Sequence, residues 1–246
     1  GVIDFSAIKD NEDLEVADYL PSDINDMEKI CTEDYSVNLV DMADNTEDNK
    51  TVNDNPNDAK AISLGTQVYD TVATELEQRW YAFSVAKATK FTAAMVMDDT
   101  ADFDLYVYKL NETDGTLELV GGSAIVGAGT QELSMLKLDE GIYFIGIEAA
   151  TGNGSFLMYT YAGVNDGKEI NDTTDLASSY VRNSRMTATI DSPFDYDYYK
   201  VVISKNDILE YTFDQPTGCD YKVLVYDGKN YYTINNGTYR LNTGTY

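Results

Sequence analysis

The stretch "DFDLYVY" (102–108) sets Phe103, Leu105 and Val107 at every second position. Side chains of a β-strand point alternately to opposite faces, so such a run reads as a strand with one buried face. The same alternation continues on both sides of it. "WYAFSV" (80–85) aligns Tyr81, Phe83 and Val85, and "FTAAMVM" (91–97) aligns Phe91, Ala93, Met95 and Met97. "GIYFIGI" (141–147) aligns Tyr143, Ile145 and Ile147, and "GSFLMYTY" (154–161) aligns Phe156 and Met158. Clusters of Gly, Asn and Asp punctuate these runs as turns require. No helical period competes with them beyond residue 65, and the pattern predicts an antiparallel β-sandwich.

A shift of 118 residues lays "DFDLYVY" on "DYKVLVY" (220–226) without a gap. The same shift sets Trp80 and Tyr81 of "EQRWYAFSV" (77–85) on Tyr198 and Tyr199 of "DYDYYKVVI" (195–203). It also sets Phe91, Ala93 and Met95 on Leu209, Tyr211 and Phe213. One constant offset over that span implies tandem copies of one unit. The expected fold is all-β: two tandem antiparallel β-sandwich (jelly-roll-like) domains behind an acidic N-terminal leader. The expected bounds are 1–52 for the leader, 53–163 for the first sandwich and 164–246 for the second. The second copy stops short of the last strands of the first, which would leave a bare sheet edge.

The leader stands apart in charge. Residues 1–50 hold 15 acidic and 3 basic residues, a charge of -12 within a net charge of -26. "PSDINDMEKI" (21–30) has the spacing of a short helix capped by Ser22, and "YSVNLV" (35–40) reads as a strand. "DNTEDNKTVNDNPND" (44–58) reads as a linker.

Composition also excludes functions. With 43 acidic against 17 basic residues the chain is ill suited to phosphate backbones, so no nucleic-acid partner is expected. No apolar run reaches bilayer length, and no membrane insertion is expected. The chain has no histidine, which rules out imidazole-dependent triads and metal sites. No G-x-S-x-G, HExxH or phosphate-cradling loop is present. The glycines of "GGSAIVGAG" (121–129) read as a loop between strands. Cys31 and Cys219 are compatible with one disulfide or with two free thiols. No enzymatic activity is expected.

The order of these motifs resembles the bacterial pre-peptidase C-terminal family, which includes the collagen-binding domains of clostridial collagenases. The second copy supplies "EIND" (169–172), Ala177, "DYDYYKVV" (195–202) and "DYKVLVY". The first supplies "NPND" (55–58), "EQRWYAFSV", "DFDLYVY", "GIYFIGI" and "GSFLMY". The resemblance implies a non-catalytic, secreted or surface accessory module of a bacterial protein, in some members attached to a peptidase. Its partner would be an extracellular protein or polysaccharide. A structural spacer in a surface protein is the alternative.

Several relatives bind calcium near the opening segment. Carried onto this chain, the ligands would be Glu169, Asn171, Asp172, Asp195 and Asp197 in the second copy. Calcium takes six to eight oxygen ligands, and carboxylates flanking one residue point to the same side of an extended chain. In the first copy Asn57 and Asp58 match the opening, but Glu77 and Arg79 stand where the paired aspartates would. Arg79 is then expected to form an ion pair, with Asp58 as one partner. For ligand contact, strand alternation assigns Tyr199, Tyr211 and Tyr221 to the core and leaves Tyr198 and Tyr226 outward.

Overall fold

The period-two runs become strands. The computed structural model describes residues 35–38, 52–163 and 167–246. The short helix expected over 21–30, and Cys31, lie outside those residues. Nine strands form in the first part of the described chain. They are β1 (Lys60–Ala61), β2 (Gln67–Val72), β3 (Gln78–Val85), β4 (Thr89–Met97), β5 (Asp102–Leu110), β6 (Leu117–Ser123), β7 (Glu132–Leu138), β8 (Gly141–Thr151) and β9 (Gly154–Ala162). They make a five-stranded sheet, β1-β3-β8-β5-β6, and a four-stranded sheet, β2-β9-β4-β7. All pairs are antiparallel except β1 with β3.

The faces are those the alternation assigns. Tyr81, Phe83, Phe103, Leu105, Val107, Tyr143, Ile145 and Ile147 of one sheet meet Phe91, Ala93, Met95, Phe156 and Met158 of the other in a single core. Phe83 stacks on Phe91 across the two sheets at 4.9 Å, and Phe103 meets Phe156 edge-on at 6.1 Å. This is a β-sandwich: two sheets that hide their apolar faces against each other.

Both outer faces are covered as well. On the five-stranded sheet, Trp80 lies across β8, so close that a Cβ on Gly146 would stand 3.1 Å from its ring. Trp80, Tyr106, Tyr108 and Phe144 are buried there beneath Tyr35 and Val37 of the leader. Tyr35 meets Trp80 edge-on at 4.8 Å and accepts a hydrogen bond from Gln78 Nε2 at 2.8 Å. The expected strand over 35–40 is represented by one bridge, Ser36 to Thr116. The described piece of the leader thus attaches to the first sandwich. On the four-stranded sheet, Ala94, Leu133 and Met135 pack under Phe194.

The chain divides into two compact units. The larger holds the described residues through Asp172 together with Ala188–Tyr196, and the smaller holds Thr173–Thr187 and Asp197–Tyr246. Residues 167–172 and 188–196 lie beyond the sequence joint at 163/164, yet they cluster with the larger unit.

The smaller unit contains β10 (Ser178–Ser179), β11 (Tyr199–Lys200), β12 (Val202–Ile203), β13 (Asp207–Tyr211), β14 (Val223–Tyr226), β15 (Tyr231–Ile234), β16 (Gly237–Leu241) and β17 (Gly244–Thr245). Its antiparallel pairs are nested: β14 with β15, β13 with β16, β12 with β17. In the larger unit β5 with β6, β4 with β7 and β3 with β8 nest in the same way. The parallel pairs correspond too, with Ser178 opposite Tyr199 and Lys60 opposite Tyr81. Ile203, Tyr232, Ile234, Tyr239 and Leu241 are buried in this unit. Cys219 is a free thiol. Tyr221, assigned to the core by alternation, is instead exposed, because β14 begins two residues after it.

Core burial sets a stability hierarchy. Phe91→Ala should lower the unfolding free energy by about 3–5 kcal/mol, the usual cost of deleting a fully buried ring. Val126 is 88% exposed, and Val126→Ala should stay within about 0.5 kcal/mol. Urea denaturation of the two variants checks both values.

Candidate functional site

Strand β4 turns Phe91, Ala93 and Met95 into the core, so Lys90 must project from the opposite face of its sheet. A lysine there would ordinarily reach solvent. Instead Lys90 is 0% exposed. The chain beyond β9 returns over this face and brings carboxylates with it. Lys90 Nζ donates to Asp172 Oδ1 at 2.7 Å and to Asp195 Oδ1 at 2.7 Å, and lies 3.4 Å from Glu169 Oε2.

The approach is tight. Gly163 donates its N–H to Lys90 O at 2.7 Å, and Thr89 Oγ1 donates to Gly163 O at 2.7 Å. A Cβ on Gly163 would stand 1.7 Å from Asp191 Oδ2, so any larger residue here would have to displace the Asp191 side chain. The Asp191 N–H in turn donates to Asp195 Oδ2 at 2.6 Å. Both oxygens of Asp195 are therefore engaged.

The electrostatics follow from this geometry. Burial pulls the Lys90 pKa down, but hydrogen bonds and charge from Asp172 and Asp195 outweigh it and hold the ammonium above its ordinary value. Burial raises the Asp172 pKa above the usual carboxylate range, more than Lys90 lowers it, and Asp195 adds repulsion. A buried ion pair is costly to form but more costly to break, because the surviving charge has no solvent.

Four of the five expected ligands in the second copy lie in the larger unit. Glu169, Asp172 and Asp195 converge on Lys90, and Asn171 is fully buried. Asp197 belongs to the smaller unit. In the first copy, Asn57 and Asp58 sit on a 3-10 turn, Pro56–Asp58, capped by the Asn55 side chain. Asn57 Oδ1 accepts from the Asn38 N–H at 2.7 Å, and Asn55 Nδ2 donates to Asp58 Oδ2 at 2.7 Å. Arg79 is 8% exposed; it bonds Glu77 at 2.7 Å and approaches Asp70 at 3.9 Å.

Lys90 escaped the sequence reading; its only signal is a charge inside the otherwise apolar run of β4. Asn53 belongs to the alternative match of the opening, which the reading sets aside for "NPND". The constant shift of 118 sets Asn53 on Asn171, and both are buried, at 1% and 0%. Asn53 Nδ2 donates to Trp80 O at 2.9 Å, and the Trp80 N–H donates to Asn53 O at 2.7 Å.

The ligand-contact residues form a separate group within the smaller unit. Tyr226 and Tyr231 are cross-strand partners and stack at 4.6 Å with 25° between planes. The Tyr198 hydroxyl lies 3.4 Å from that of Tyr231. All three rings are half-buried. Tyr232 and Tyr239 differ: both are buried, and their hydroxyls donate to Asp227 and to Asn235 O.

No family model matches the sequence, and no curated protein matches it. Among solved structures, the chain is similar to the pre-peptidase C-terminal domain of a collagenase from Bacillus anthracis, with 16% identity and a TM-score of 0.36 over 42% of this chain and 93% of that one. It is also similar to a periplasmic inhibitor of g-type lysozyme from Aeromonas hydrophila, with 13% identity and a TM-score of 0.32 over 42% of this chain and 95% of that one.

Lys90→Met removes the shared cation and leaves three carboxylates facing one another. It should cost about 3–5 kcal/mol at neutral pH. Asp195→Asn should cost less, because Lys90 keeps Asp172 and Glu169. Denaturant midpoints of the two variants test the order, and equal midpoints would contradict it.

Proposed function

We propose that the chain is a non-catalytic accessory module of an extracellular bacterial protein, binding a protein or polysaccharide through Tyr198, Tyr226 and Tyr231. The observation that carries this reading is the convergence of Tyr198 and Tyr226 on Tyr231. Half-buried tyrosines in one group offer rigid contact area at low entropic cost. The order of motifs, similar to the pre-peptidase C-terminal family, supports the accessory role. So does the commitment of the Lys90 carboxylates to an internal cation, which leaves them unsuited to acid–base work. The cleft between Phe194, Tyr159, Ala94 and Glu132 holds about 30 Å³, the room of one water rather than a substrate.

The same reading takes the smaller unit as a second copy of the sandwich. The nested pairing and the shared offset of the two parallel registers support that. It also keeps calcium as a ligand of Glu169, Asn171, Asp172 and Asp195, in competition with the Lys90 ammonium.

Two experiments test it. In pull-down on insoluble peptidoglycan, cellulose and fibrillar collagen, at least one support should retain the chain, and Tyr226→Ala with Tyr231→Ala should release it without lowering the melting temperature. Retention unchanged by the double substitution would exclude the tyrosine surface, and failure on every support would favour a spacer. For calcium, Lys90→Met should gain more stability than the parent on adding the ion, and Asp195→Asn in that background should cancel the excess.

A further inference from the structure

A second acidic group lies within the larger unit, away from Lys90. Asp102 and Asp104 on β5 and Glu132 on β7 each place a carboxylate oxygen within 4.8 Å of the other two. All three are buried, at 7%, 7% and 1% exposure. The loop between β6 and β7 supplies amides to them. The Ile125 N–H donates to Glu132 Oε1 at 3.0 Å, and the Gly127 N–H donates to Asp102 Oδ2 at 3.1 Å. Tyr106 Oη donates to Asp104 Oδ2 at 2.9 Å.

These donors are neutral and do not balance the charge. The charges acting on Asp104 are Asp102 and Glu148, and those acting on Glu132 are Asp104 and Asp102; every one is negative. One atom is also left over. Asp102 Oδ1 is buried and has no hydrogen-bond partner. A buried carboxylate oxygen without a donor is expensive unless something of positive charge meets it.

We propose that Asp102, Asp104 and Glu132 form a binding site for one divalent cation of calcium's size. Calcium is a hard cation that takes oxygen ligands at about 2.3–2.6 Å in flexible geometry, and carboxylate oxygens within 4.8 Å of one another can share such an ion. Carboxylates are hard ligands and favour such ions over softer metals. The site is confined to the first stretch, since the 118-residue shift sets Lys222 where Asp104 stands.

The test uses the full chain, stripped with chelator and titrated with calcium chloride at neutral pH by calorimetry, with melting followed in parallel. One ion should bind per chain, and the melting temperature should climb with calcium concentration. Asp104→Asn and Glu132→Gln should each abolish the saturable heat while the metal-free variant melts no lower than the parent, since a like charge has gone. Asp195→Asn should leave the heat in place. A parent chain indifferent to calcium, or a response that both variants retain, would overturn the site.

Discussion

A lysine ammonium with no access to water organises the outer face of the four-stranded sheet. Lys90 is held there because residues 167–172 and 188–196 bring Asp172 and Asp195 within 2.7 Å of its Nζ. The dependence is mutual. The returning segments carry few apolar side chains, and Phe194 over Ala94, Leu133 and Met135 is the apolar contribution grouped there. Such a thin apolar seal would not by itself fix the path of irregular chain. A charge-assisted pair at hydrogen-bond distance fixes position and direction together. The close approach of Gly163 to Asp191 belongs to the same arrangement.

The sandwich core was legible because its physics is local. Tyr81, Phe83 and Val85, or Phe103, Leu105 and Val107, follow from a two-residue period within one strand, and each reached the inter-sheet core. Lys90 was not legible for the opposite reason. It stands on the face that alternation gives to solvent, and its burial depends on residues 82 and 105 positions away. Family-like spacing singled out Glu169, Asp172 and Asp195, but it could not say which cation they surround. Tyr221 shows the limit of alternation itself. Its face assignment assumed a strand over the whole of "DYKVLVY", whereas β14 starts only at Val223.

The two units share a pairing scheme but not a depth of burial. In the larger, strands of seven to eleven residues put whole faces against each other. In the smaller, paired strands run from two to five residues, and five apolar side chains are buried. Short strands give each side chain fewer neighbours, so tyrosines there are half-buried rather than enclosed. That is the condition under which an aromatic ring serves as contact surface instead of core. Tyr232 and Tyr239, with hydroxyls satisfied by Asp227 and Asn235, are spent on holding the unit together. Tyr198, Tyr226 and Tyr231 are, by contrast, half-buried rings that come together in one group.

Charge gives the remaining constraint. The chain has a net charge of -26, and it buries several of its carboxylates. Each acidic group that it buries needs a positive partner or a proton. In two places the chain supplies that partner itself, through Lys90 for Asp172 and Asp195 and through Arg79 for Glu77 and Asp70. An internal cation has a fixed position and a stoichiometry of one. At Asp102, Asp104 and Glu132 the chain offers amides and a hydroxyl, but the charges that act there are all negative. The third group therefore depends on a cation from its surroundings, where the other two begin with one of the chain's own. The sandwich thus separates carboxylates that are wired into the fold from carboxylates whose state the medium sets.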